Sequence, residues 1–320
     1  MSRRFLLLLC LLALSGCRTG PPPMARWQVG NEQVLAAAIL PEGTQVVYSV
    51  TSGFANLWDL QAGRPLYSWQ LDPKPASAFT VMAVSANGAV IAMADAATLS
   101  LWSPRAGRPM GLWSLPGIRA IAVSADGQYA LLGLPAGRAQ WLHLATGSVV
   151  GEFSYSDDTN AVAISHDRRL LMTGGDDRRV RLWDARDGTL KAVWPHSNVI
   201  SALSFSPDGR LAVSNGASGP VRIWDTAAGK ALGTLPGIRR VTASVLRFSP
   251  DGRLLAVGTP NGRIQVFEMR GYSRIARFQL AVPHLDRPSS SVVADIRFLN
   301  DMQSLLSTDL NGGVQRWQLP

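Results

Sequence analysis

Few side chains in this chain are placed to do chemistry. Its 320 residues hold two cysteines, Cys10 and Cys17, and four histidines, His143, His166, His196 and His284. The histidines fall in separate segments, mostly at turns. No two share the short spacing of paired metal ligands, so they read as surface or structural residues. Asp126, Asp167, Asp208 and Asp251 recur in Ser-x-Asp contexts between apolar runs, where a short carboxylate supports a turn. No Gly-x-Ser-x-Gly elbow and no phosphate-cradling glycine loop occurs. The residues therefore assign no catalytic group, no metal ligand and no cofactor site. Cys17 is the one side chain whose surroundings point to a definite reaction.

Cys17 ends a short apolar run. Arg3 and Arg4 precede ten apolar residues, Phe5 to Leu14, and Leu14-Ser15-Gly16-Cys17 follows. A bilayer span needs about 20 residues, so this run has the length of a secretory signal rather than of a transmembrane helix. The motif resembles the signal of bacterial lipoproteins. That resemblance implies that diacylglycerol alkylates the Cys17 thiol, that the chain is cut before it and that the new amine is acylated. Residues 1–16 are then a signal peptide, 17–24 a lipidated proline-rich tether and 25–320 the folded domain. Several acyl chains anchor stably where one does not. In enterobacterial lipoproteins an Asp after the lipid cysteine favours retention in the inner membrane. Arg18 therefore implies the outer membrane, facing the periplasm. Loss of residues 1–16 removes Cys10 with them, so the mature chain has no internal disulfide to lean on. A chain of about 300 residues buries roughly 75% of its unfolded surface and can stand on its core.

The elements that follow are strands. Short apolar runs alternate with Gly, Pro, Asn and Asp at spacings near ten residues, an all-β pattern. Seven triplets are equivalent: Leu57-Trp58-Asp59, Leu101-Trp102-Ser103, Trp141-Leu142-His143, Leu182-Trp183-Asp184, Ile223-Trp224-Asp225, Val266-Phe267-Glu268 and Arg316-Trp317-Gln318. Their centres lie about 40 to 50 residues apart, the period of a repeat architecture. Each triplet ends a third strand, after a Ser-x-Asp-Gly-type turn (Ser206-Pro207-Asp208-Gly209 is typical) and a second turn such as Pro260-Asn261-Gly262. Eleven positions beyond each centre comes an apolar marker of a fourth strand: Trp69, Trp113, Phe153, Trp194, Leu235 and Phe278. The seventh repeat stops at Pro320 without one. Ala25-Arg26-Trp27-Gln28-Val29 matches Tyr67-Ser68-Trp69-Gln70-Leu71, so the N-terminus supplies the missing strand, with Trp27 as marker.

These residues resemble the WD-repeat family over residues 26–320. The resemblance implies an all-β, seven-bladed β-propeller whose last blade is closed by the N-terminal strand. The family's Gly-His pair is absent. Of its buried network, Asp177 fits the turn position in the fourth repeat, and His196, Ser214 and Trp224 could form most of it in the fifth. All ten tryptophans are accounted for by the repeat, which leaves none for a ligand cage.

The charge is less easily absorbed. The formal net charge is +9, and +7 once Arg3 and Arg4 are removed. It reads either as attraction to lipid phosphates or an acidic partner, or as scattered surface arginine from a GC-rich genome. Nucleic acid is not expected as a partner, because no recognition helix occurs. Arg247 and Arg297 take equivalent inner-strand places where other repeats have Ala38, Ala83, Ala122, Ala163 or Ser204. They form either an anion site near the channel or pairs with local acids such as Asp295. The longest insertion, residues 281–291, is expected beside Arg239 and Arg240 and contains Arg287. These arginines are the candidate anion or partner contacts. The function expected is a monomeric, noncatalytic, lipid-anchored scaffold that binds proteins of the bacterial envelope. The alternative is a propeller with a small-molecule, anion or hydrolytic site at the channel mouth.

Overall fold

The computed structural model describes residues 20–30, 32–70, 78–238, 240–280 and 291–320. Cys17, Arg239 and Arg287 lie outside the described residues, as do most of the insertion and the whole apolar leader. The described residues form 28 strands in seven antiparallel sheets of four, with no helix. Blades 1 to 6 span residues 34–69, 81–114, 120–154, 159–195, 200–234 and 245–279, each built from consecutive strands. Blade 7 takes its three inner strands from residues 293–318. Its outer strand is Ala25–Gln28, paired in the register Ala25 to Arg316 and Gln28 to Gly313. The expected closure is therefore present, and Val29 N–H extends it to the Gly312 carbonyl at 2.8 Å. Closing the ring removes the open edge that a linear array of sheets would expose.

One turn chemistry builds the first hairpin of most blades. In blade 5, Ser206 Oγ donates to Asp208 Oδ1 at 2.6 Å and accepts from Leu211 N–H at 2.9 Å. Asp208 Oδ1 accepts from Arg210 N–H at 3.1 Å, and Gly209 turns the chain at a φ of +70°. Ser124–Asp126, Ser165–Asp167 and Ser249–Asp251 repeat the arrangement, and Ser85–Asn87 does so with an amide. These aspartates are thus turn residues. Where glycine is missing, Arg168 and Met302 adopt φ values of +62° and +53°, a region uncommon for residues with a side chain.

Aromatic contacts join four of the blades to the next. Trp69 stacks on Trp102, Phe153 meets Trp183, Trp194 lies parallel to Trp224 at 4.7 Å and Phe278 packs on Trp317. The outer-strand marker of one blade therefore covers the third-strand aromatic of its successor. Its own indole N–H caps that successor's turn, as in Trp194 to the Gly229 carbonyl at 3.0 Å.

The third-strand indole needs an acceptor of its own; in blades 4, 5 and 7 the residue ten positions earlier supplies it, whereas Trp102 of blade 2 donates to Ser100 at 3.0 Å. Trp183, Trp224 and Trp317 donate to Thr173, Ser214 and Ser307 at 3.0, 2.7 and 2.8 Å. His196 Nε2 completes the blade 5 network on Ser214 Oγ at 2.8 Å, as its sequence position implied. In blade 4 Tyr155 stands where His196 stands in blade 5. It bonds Thr159 and lies under Arg181, which pairs with Asp177 at 2.6 Å. In blade 1 the tenth residue back is Tyr48, which is not a hydroxyl acceptor of Ser or Thr size, and the buried Trp58 indole N–H has no partner among the described residues.

Candidate functional site

The seven inner strands run side by side around a central channel of about 710 Å³. Each strand places its penultimate residue on the wall. In blades 1 to 5 these are the small side chains Ala38, Ala83, Ala122, Ala163 and Ser204. In blades 6 and 7 they are Arg247 and Arg297, on the neighbouring strands Val245–Phe248 and Val293–Phe298. The structure thus brings together the two arginines that stood out in the repeat alignment. Arg240 belongs to a different place: it is exposed in the connection between blades 5 and 6, on no strand.

Asp295 lies between them and is only 4% exposed. Its carboxylate accepts from Arg247 Nη2 at 2.7 Å, from Ile296 N–H at 2.8 Å and from Ile39 N–H at 2.9 Å. Arg247 Nε also donates to the Ile296 carbonyl at 3.1 Å. Arg297 Nη2 donates to the Ile39 carbonyl at 3.3 Å. Ile39 ends the inner strand of blade 1. This cluster therefore ties blades 6, 7 and 1 together at the channel, on the same seam that Ala25–Gln28 closes at the rim. The pairing with Asp295 holds for Arg247. Arg297 forms no ion pair among the described residues, and its buried Nε has no hydrogen-bond partner.

The electrostatics follow from this asymmetry. Burial first, and then Arg247 beside it, push the Arg297 guanidinium down to about 10, while Asp295 and Glu42 pull the other way. Arg297 is still a cation at neutral pH. The other arginine on the channel wall, Arg119, is occupied by Asp158 at 3.1 Å and Asn160 at 3.0 Å. His166 lines the channel mouth, His143 bonds Thr146 at 3.1 Å, and no group of three metal-ligating residues occurs among the described residues.

A second surface emerges at the outer wall, and it was not legible in the sequence. In blades 1 to 6 the outer strand carries one extra residue opposite the step into the marker position of the third strand, a β-bulge. The extra residues are Leu66, Met110, Val150, Lys191, Leu232 and Ile275. Four of them are large apolar side chains turned to solvent: Met110 and Val150 at 56%, Leu232 at 48% and Ile275 at 38% exposed. Leu112 and Val149 are exposed beside Met110 and Val150 on their strands, and Leu190 and Val193 are exposed on the blade 4 outer strand that carries Lys191.

A family model for the WD domain, G-beta repeat, matches residues 147–184 and 188–225. Each matched stretch covers the outer strand of one blade and the three inner strands of the next, so the sequence repeat straddles the structural one. No curated protein matches the chain. Two matched repeats inside a ring of seven four-stranded blades support the WD-repeat propeller family, whose fold serves generally as a protein-interaction scaffold.

Proposed function

We propose that this protein is a lipid-anchored, noncatalytic scaffold that binds other proteins of the bacterial cell envelope through the outer wall of its propeller. The observation that carries the reading is the belt of bulged apolar side chains on blades 2, 3 and 5, Met110, Val150 and Leu232. Apolar side chains exposed on several outer strands offer an apolar contact surface to a partner that spans those blades. A rigid closed ring holds this belt at fixed spacing, which suits a partner that spans several blades.

The N-terminal chain supports the anchored part of the reading. Gly20 lies against the outer strand of blade 6, so close that a Cβ there would fall 1.9 Å from the Arg277 carbonyl oxygen. Cys17 is three residues earlier, a reach of about 10 Å at most. A lipid on Cys17 would therefore enter the membrane beside blades 6 and 7. That rim carries Arg26, Arg263, Arg274 and Arg277, none of them in an ion pair among the described residues. The crowding is visible on Arg263, whose guanidinium is pushed down by burial and then by Arg277 and Arg274. Anionic headgroups would relieve that repulsion. The disc would then stand on edge, with blades 2 to 5 turned away from the bilayer and open to partners.

Crosslinking in cells, followed by capture from solubilised membranes and mass analysis of the N-terminus, tests both parts. The expected result is a chain that starts at an acylated Cys17 and carries a reproducible set of envelope proteins. A set that survives Met110→Gln with Val150→Thr and Leu232→Gln would exclude the outer wall. A chain recovered unmodified from the soluble fraction would exclude the anchor.

A further inference from the structure

The two channel arginines differ in what surrounds them, and the difference points to a ligand. Asp295 has its carboxylate filled by Arg247 and two backbone N–H groups. It has little left for Arg297, which among the described residues is bound through one long contact to the Ile39 carbonyl at 3.3 Å. A guanidinium offers five donors in a planar fork that matches an oxyanion. Arg297 is half-buried in the channel wall with its buried Nε unpaired, and a buried polar group without a partner costs stability. The equivalent wall positions of the other five blades are alanine or serine, so none of them presents a carboxylate to Arg297. Glu42, the other carboxylate acting on Arg297 among the described residues, is itself exposed. Arg247, held in place by Asp295, is 39% exposed and has donors to spare. The cavity of about 710 Å³ accommodates a small metabolite.

We propose that the channel binds a small oxyanion, bearing phosphate or carboxylate groups, with Arg297 as the principal ligand-binding residue and Arg247 as the second donor. Asp295 is a positioning residue that turns the Arg247 fork toward the same space. The site is independent of the lipid anchor and of the outer wall.

Calorimetric titration of the purified full chain with inorganic phosphate, and separately with succinate, tests this, with melting temperature followed in parallel. At least one of the two anions is expected to bind at a single saturable site and to raise the melting temperature by about 2–4 °C at saturation. Phosphate alone would assign a phosphate ligand, and succinate alone a carboxylate. Arg297→Met is expected to weaken binding at least tenfold. Without anion it should melt no lower than the wild type, since the unpaired cation is gone and the aliphatic volume is kept. Arg108→Met, on the exposed outer strand of blade 2, should change neither reading. The proposal fails if neither anion saturates, or if Arg297→Met binds as the wild type does. It fails equally if Arg297→Met melts several degrees lower while the wild type shows no anion effect, because Arg297 would then be structural.

Discussion

Asp295→Ala tests whether the propeller's seam is held at the channel as well as at the rim. The substitution removes three acceptor contacts at once, to Ile39 N–H, Ile296 N–H and Arg247. Ile39 is fully buried, so its N–H is left without a partner, which costs about 1–3 kcal/mol. Arg247 is 39% exposed and regains water, so the lost ion pair adds at most about 1 kcal/mol. The expected loss is about 1–4 kcal/mol. At about 2–4 °C per kcal/mol for a chain of this size, the melting temperature should fall by roughly 2–16 °C. Urea unfolding with an unchanged slope is the matching measurement. Arg247→Ala, which leaves Ile39 bonded, should cost no more than about 1 kcal/mol. The reasoning is refuted if Asp295→Ala costs less than about 0.5 kcal/mol. It is also refuted if Arg247→Ala costs as much as Asp295→Ala, since the energy would then reside in the ion pair and not in the backbone tie to blade 1.

Two further outcomes follow from the blade networks. Burial and then Arg222 push the His196 imidazole down from its ordinary range to about 4. The unfolded chain thus takes up a proton that the folded chain refuses between about pH 6.5 and 4. Stability is flat above pH 6.5 and should fall by about 2 kcal/mol on going to pH 4, after allowance for partial exposure, and His196→Gln should flatten that part of the urea-midpoint profile. Trp224→Phe breaks a bond of 2.7 Å to Ser214, whereas Trp58→Phe removes an indole N–H that has no partner. Thermal unfolding should show Trp224→Phe costing about 1 kcal/mol more than Trp58→Phe, and equal losses would mean that the indole bond contributes nothing.

Much of this molecule is written locally. The Ser-x-Asp-Gly turn needs only six adjacent residues to satisfy itself, so most first hairpins are readable from their own segments. The third-strand aromatic and the marker eleven residues later recur because every blade solves the same packing problem against its neighbour. Repetition then makes the count of seven, and the match of Trp27 to Trp69, visible without coordinates. His196, Ser214 and Trp224 were legible for the same reason: they occupy equivalent places in a known period.

What the sequence by itself determined is therefore the repeat, the all-β ring and the strand that closes it, because these rest on local turn chemistry and periodic burial. The tertiary structure alone decided which contacts cross the seam. Asp295 bonds Ile39 across 256 residues only because the ring returns blade 7 to blade 1. That return also divided the two arginines, giving Arg247 the carboxylate and leaving Arg297 without an ion pair among the described residues. Likewise, a bulge in each of six outer strands depends on how strands twist when they pair, and it turned Met110, Val150, Leu232 and Ile275 outward. Alternation along the chain carries no signal for an inserted residue, since one extra position reverses which face a side chain meets.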